Sequence, residues 1–257
     1  MGFVDTHTHL LDERLRDRAN DIAQTLGQHG LDFVVETSAD PSESHESLEF
    51  ATRHKNVYCT LGVHPHYAEQ YDDKFEEWTR TKVPHEKVVA IGECGLDYYH
   101  DKAPREKQRE IFIKQIKLAH ELGLPLVVHS RDAFDETYKI LLDHRGMLGN
   151  GVLIHCYSYG VSEVKKFGEL DAYFAFGGAI TYKNAIQAKA AIQAAPINRL
   201  VLETDCPYLS PVPLRGETNE PKNIQHIAAH VAQVLNTSPE NLAEITTQNA
   251  KRFFKIN

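Results

Sequence analysis

The feature that most limits the fold is an alternation repeated eight times along the chain: a short β-rich run, then a longer stretch with helical spacing. The runs predict strands over residues 3–9, 32–38, 57–64, 88–97, 126–131, 152–157, 172–177 and 200–205. The clearest helix is predicted over 105–122, where Ile111, Gln115, Leu118 and Leu122 follow the three-to-four spacing, Pro104 suits a first turn and Gly123 supplies a stop. Asp40-Pro41 and Ser238-Pro239-Glu240 also read as helix starts. Repeated strand-helix units imply a parallel sheet, and eight of them in 257 residues predict closure into an α/β barrel, a parallel (β/α)8 TIM-type barrel. The structural rival is an open doubly wound sheet. No low-complexity linker interrupts the pattern, so residues 1–257 are expected to form a single domain around one large core.

The apolar runs, such as 124–128, are far too short to cross a bilayer, and no basic segment leads into a long apolar run near the N-terminus. The expectation is a cytoplasmic chain with no membrane partner. Cys59, Cys94, Cys156 and Cys206 show no Cys-x-x-Cys spacing and read as free thiols. A formal charge of -8 excludes sequence-independent coating of a polyanion. It leaves room for a nucleic-acid substrate, because bound cations and nearby arginines set the field inside a cleft.

His7 and His9 are two apart on a predicted strand, so both side chains share one face. Glu93, His129, His155 and Asp205 stand at or near the C-terminal ends of four other predicted strands, each after an apolar run. An apolar strand ending in a metal-capable side chain is costly unless that group is satisfied, and a barrel gathers such strand ends on one rim. Four imidazoles and two carboxylates supply enough donors for two divalent cations. Cys94, Cys156 and Cys206 each follow a proposed ligand, so a continued pleat would turn them outward toward the helices. Glu203 shares parity with Asp205 one layer deeper, where it would accept a proton from a ligand histidine.

These motifs resemble the TatD-like metal-dependent deoxyribonucleases, a branch of the amidohydrolase-like barrels. The resemblance runs almost end to end, through FVDTHTHL at residue 3, GVHPH at 62, GECGLDYY at 92, LPLVVHSRDA at 124, IHCYS at 154, ETDCPYL at 203, RG at 215 and NEP at 219. It implies that His7, His9, Glu93 and Asp205 surround one ion and that Glu93, His129 and His155 surround the other, with Glu93 as the bridge. That acid separates this branch from relatives that use a carbamylated lysine. Two departures stand beside the rim: Tyr157 replaces the usual Phe, and Tyr159-Gly160 replaces the usual Gly-Ser.

The resemblance further implies a 3′-5′ exodeoxyribonuclease acting on single strands, with DNA and also RNA as substrate. In such an enzyme two ions about 4 Å apart share an activated water and grip the phosphate. Asp205 and Glu93 are the expected catalytic residues. His64, Arg131 and Arg215, with Tyr208, lie in loops after predicted strands and are the expected substrate contacts, although either arginine could instead pair with a rim acid such as Asp97 or Asp132. Tyr98 and Tyr99 read as packing residues. Family activity implies Mg or Mn, whereas four histidines also suit Zn. The rival enzyme class hydrolyses a carbonyl ester or amide, for example a D-aminoacyl-tRNA. A non-catalytic nucleic-acid-binding scaffold would have lost a ligand, and none is missing.

Overall fold

The structure, a computed structural model, describes residues 2–256. Eight parallel strands pair in sequence order: β1 (Phe3–Thr8), β2 (Leu31–Glu36), β3 (Val57–Leu61), β4 (Val88–Asp97), β5 (Leu126–Arg131), β6 (Val152–Ile154), β7 (Tyr173–Phe176) and β8 (Leu200–Leu202). β8 returns to β1 through a parallel bridge between Thr8 and Cys206, with His9 N–H on the Cys206 carbonyl at 2.8 Å and Asp205 N–H on the His7 carbonyl at 3.0 Å. The rival open sheet is thereby excluded. Helices fill the connections: α1 (Ala19–Thr25), α2 (Pro41–Arg53), α3 (Asp73–Lys82), α4 (Arg105–Leu122), α5 (Phe134–Asp143), α6 (Val161–Gly168), α7 (Ile186–Ala194), α8 (Ile224–Val234) and α9 (Pro239–Phe254).

Local signals act as the sequence suggests. Pro104 precedes α4, and Gly123 closes it at φ 71°, a left-handed conformation that costs glycine little. Asp40 and Ser238 cap α2 and α9 by accepting the N–H of Glu43 and Asn241. Gln115, a polar member of the predicted apolar stripe of α4, is buried because it brackets Val63, accepting its N–H at 2.8 Å and donating to its carbonyl at 2.9 Å.

Two apolar layers hold the barrel. Between sheet and helices lies a large cluster that includes Leu61, Ile91, Phe112, Val128, Phe174 and Ile227. Inside the sheet, Val4, Phe33, Val35, Val89, Val127, Leu153, Tyr173, Ala175 and Val201 pack together. Phe253 and Phe254 at the end of α9 join that inner cluster. With one end of the barrel filled by these side chains, the polar residues gather at the C-terminal ends of the strands.

Six strands end earlier than predicted: β1, β2 and β3 stop at Thr8, Glu36 and Leu61, which leaves His9 and His64 beyond the ladder. β6, β7 and β8 stop at Ile154, Phe176 and Leu202, so His155 and Asp205 lie just beyond the ladder rather than on it. Beyond the ends of β6 and β8 the backbone turns left-handed at Cys156 and Asp205, at φ 46° and 56°. No helix among the described residues is long and apolar enough to cross a membrane.

Candidate metal centre

The six residues expected as ligands meet at this rim. His7 Nε2 lies 3.2 Å from His9 Nε2 and 3.3 Å from Glu93 Oε2. Asp205 Oδ1 lies 3.5 Å from His9 Nε2 and 4.0 Å from His7 Nε2. His129 Nδ1 is 2.8 Å from Glu93 Oε1, and His155 Nε2 stands between the two acids, 3.7 Å from Glu93 Oε1 and 3.9 Å from Asp205 Oδ1. Among the sets of donor atoms that fall within 4.8 Å of one another are His7, Glu93 and His155; His7, His9 and Asp205; and His64, Glu93 and His129.

Outer partners fix how several of these rings face the cleft. The Thr37 carbonyl accepts from His9 Nδ1 at 2.9 Å, and Glu203 Oε2 accepts from His155 Nδ1 at 2.9 Å. Each ring therefore carries its proton on Nδ1 and turns Nε2 toward the acids, which is how a ligating imidazole is held. His64 is set the other way. Its Nδ1 accepts the N–H of His66 at 3.1 Å, so the proton of its neutral ring sits on Nε2, 3.8 Å from Glu93 Oε1. His64 is thereby a donor into the cleft rather than a ligand. Burial, with His129 beside it, holds its pKa well below the usual value and keeps it neutral.

The field of the site favours a cation. Burial alone would raise the Glu93 carboxyl, but His155, His64 and His7 around it and the hydrogen bond from His129 hold it well below the usual range. Burial would lower His155, yet Glu203, Glu93 and Asp205 push it up to about 10; Asp205 and Glu93 likewise push His9 up to about 9. A pocket that attracts a proton to Nε2 this strongly attracts a divalent cation to the same lone pairs. The donor set thus fits resident metal.

Buried polar residues of the strands and the loop after β8 support the ligands. Buried Asp5 accepts the N–H of Thr204 at 2.8 Å and the Thr204 hydroxyl, tying β1 to the segment that carries Asp205. Buried Glu36 accepts from Leu10 N–H at 2.8 Å, Leu11 N–H at 3.1 Å and the Thr8 hydroxyl at 3.0 Å, fixing the turn after His9. Asn219 latches the loop after β8 by donating to the carbonyls of Thr204 at 2.9 Å and Tyr208 at 2.7 Å.

Comparison with known proteins places these residues in a lineage. The family model described as TatD related DNase matches residues 4–255. The chain belongs to the TatD related DNase family. It is a metal-dependent hydrolase of that family. The metal-dependent hydrolase YabD of Bacillus subtilis is 36% identical over 253 residues, covering 98% of this chain and 99% of its own. A protein of Rahnella named 3′-5′ ssDNA/RNA exonuclease TatD is 33% identical over 240 residues, covering 91% and 90%. The crystal structure of YjjV, a TatD homologue of Escherichia coli, superposes with a TM-score of 0.92 at 26% identity over 99% of this chain and 98% of its own.

In this TatD-family chain the remaining predicted contacts separate. His64, Arg131 and Tyr208 line a cleft of about 450 Å³ with His9, Glu93, His129, His155 and Asp205. Arg215 is not among its lining residues; its guanidinium lies 4.5 Å from the ring centre of Tyr182, which lines the neighbouring groove. Neither Arg131 nor Arg215 pairs with Asp97 or Asp132 among the described residues; Arg131 stacks on Tyr99 instead, at 4.2 Å. Two expectations are corrected. Tyr99 is not a packing residue, being 61% exposed. Cys94 and Cys206 are buried, but the left-handed turn at Cys156 brings its Sγ within 4.8 Å of donor atoms of His155 and Asp205. The departures Tyr157 and Tyr159 are structural: Tyr157 is buried against Phe174 and Phe176, and the Tyr159 hydroxyl bonds Ser130 and the N–H of Ala133.

Proposed function

We propose that the chain hydrolyses phosphodiesters of single-stranded nucleic acid, DNA and also RNA, from the 3′ end, with two divalent ions, Mg or Mn in activity. The single observation that carries the metal reading is the orientation of His9 and His155, whose Nδ1 partners turn both Nε2 atoms toward Glu93 and Asp205. The name of the Rahnella relative supports the choice of substrate. His7, His9, Glu93 and Asp205 would hold one ion and Glu93, His129 and His155 the other, with Glu93 bridging. When bound, such ions neutralise phosphate charge and lower the pKa of water to near neutrality. Asp205, held below the usual carboxylate range by its histidine neighbours despite burial, is ionised and available to take a proton. His64 donates from Nε2 to a phosphate oxygen, and Arg131 offers a second grip.

The test is side-by-side turnover of a 3′-labelled single strand and a D-aminoacyl-tRNA by protein loaded with Mg, Mn or Zn. Stepwise shortening from the 3′ end is expected, with the aminoacyl ester left intact. Internal cutting before the 3′ end shortens would overturn the exonuclease reading, and preferred ester hydrolysis would overturn the nuclease reading. Glu93→Ala should lose the metal held at this centre and activity together.

A further inference from the structure

We propose that Asp97, His66 and His100 form an additional divalent-cation site in the same cleft, beside the Glu93 centre. Asp97 ends β4 and is fully buried. Its Oδ1 accepts the backbone N–H groups of Tyr99 at 3.0 Å and His100 at 2.8 Å, which fixes the carboxylate plane. Its Oδ2 faces three imidazole nitrogens at once: His66 Nε2 at 2.9 Å, His100 Nδ1 at 3.1 Å and His129 Nε2 at 3.2 Å. A carboxylate oxygen offers about two lone-pair positions, so three hydrogen-bond donors oversubscribe it.

One assignment of protons relieves the crowding. His129, a proposed ligand of the Glu93 centre, takes one lone pair of Oδ2 as a donor. The other lone pair, His66 Nε2 and His100 Nδ1 then converge on a common point, and their donor atoms lie within 4.8 Å of one another. Neither His66 nor His100 has a side-chain partner fixing its second ring nitrogen among the described residues, so both rings are free to present a lone pair there. The rings stand at 84° with centres 5.1 Å apart, and both line the cleft, from which water or substrate oxygens can complete the coordination. Two imidazoles and one carboxylate suit a borderline cation such as Co²⁺ or Zn²⁺. With a single carboxylate, and Lys102 lining the same cleft, this site binds more weakly than the two-acid centre.

The proposal rests on this geometry and not on the nuclease reading. The test is equilibrium dialysis of the full chain against Co²⁺, with elemental analysis and NMR of the shifted histidine ring signals. His100→Ala changes a side chain that is 39% exposed, and His66→Gln serves if that variant fails to fold. Each should bind one equivalent less than the unaltered protein and lose one set of shifted signals. Glu93→Ala should keep that equivalent, so failure at the Glu93 centre is distinguishable from failure here. Equal stoichiometry and identical signals in the unaltered protein and both variants would overturn the site.

Discussion

Glu203 Oε2 lies 2.9 Å from Nδ1 of His155, and its Oε1 accepts the N–H of the next residue, Cys156, at 2.8 Å. One buried carboxylate thus sets the ring and the backbone turn together. In Glu203→Gln a single carbonyl oxygen remains, and either His155 or Cys156 must face an amide NH₂ instead. Metal affinity should fall about 10- to 100-fold, the usual cost of losing the partner of a ligating histidine. Unchanged affinity by equilibrium dialysis would show that His155 is oriented by packing alone.

Gly95 brings β4 against β5 closely enough that a Cβ would stand 2.0 Å from the His129 carbonyl oxygen, and its φ of 136° excludes ordinary side chains. Gly95→Ala combines a backbone clash with strain at the strand that carries Glu93. A loss of about 3 kcal/mol is expected. For a chain of this size that lowers Tm by roughly 6–12 °C. A melting temperature within a degree of the unaltered protein would mean that β4 shifts freely, and the rigid-rim account would fail.

Tyr208 stands at the cleft edge, 5.9 Å from His9 between ring centres, held by a hydroxyl bond to Asp12 at 3.0 Å and by Arg14 over its ring at 4.2 Å. The ring is 45% exposed and able to stack a base. Tyr208→Ala should cost about 1–3 kcal/mol of binding to single strands, seen as a raised KM. An unchanged KM would remove Tyr208 from the substrate path.

The same cluster makes a pH prediction. The Arg14 hydrogen bonds to Asp12 outweigh partial burial and, with Tyr208, hold that carboxyl down to about 2 against an ordinary 3.8. The shift is downward, so its stabilising effect is complete above the ordinary value and is lost as pH falls through about 2. Carboxyl NMR should place the Asp12 midpoint near 2, rising toward 3.8 in Arg14→Ala; an ordinary midpoint in the unaltered protein would deny the bidentate contact.

What could be read from the sequence follows from which signals are local or periodic. The barrel was legible because each strand-helix unit repeats a period, and α4 was legible at both ends because Pro104 and Gly123 punctuate it. The metal candidates stood out because His7, Glu93, His129, His155 and Asp205 each follow or interrupt an apolar run. Asp5 and Glu36 carry no such signal: each is an acid inside a strand, and its partners come from loops distant in the chain. Cys156 was misdirected because alternation assumes an extended backbone, and φ turns positive at that residue. Asp97 and His100 needed the β4 terminus to be folded before their convergence with His66 was visible.

Arg131 and Arg215 provide the sharpest contrast. Both were expected to grip phosphate, but Arg131 lines the cleft with the metal candidates and Arg215 does not. Arg131 is free of acidic partners among the described residues and lies on the exposed face of Tyr99, which leaves its N–H groups available. Arg131→Ala should therefore weaken single-strand binding and reduce the slope of log affinity against log salt by about 0.7, the share of one phosphate contact. Arg215→Ala should leave that slope unchanged, because its guanidinium is committed to the Tyr182 ring beside the neighbouring groove. Equal losses for the two variants would mean that the strand runs across both openings, and the single-cleft account would then have to be abandoned.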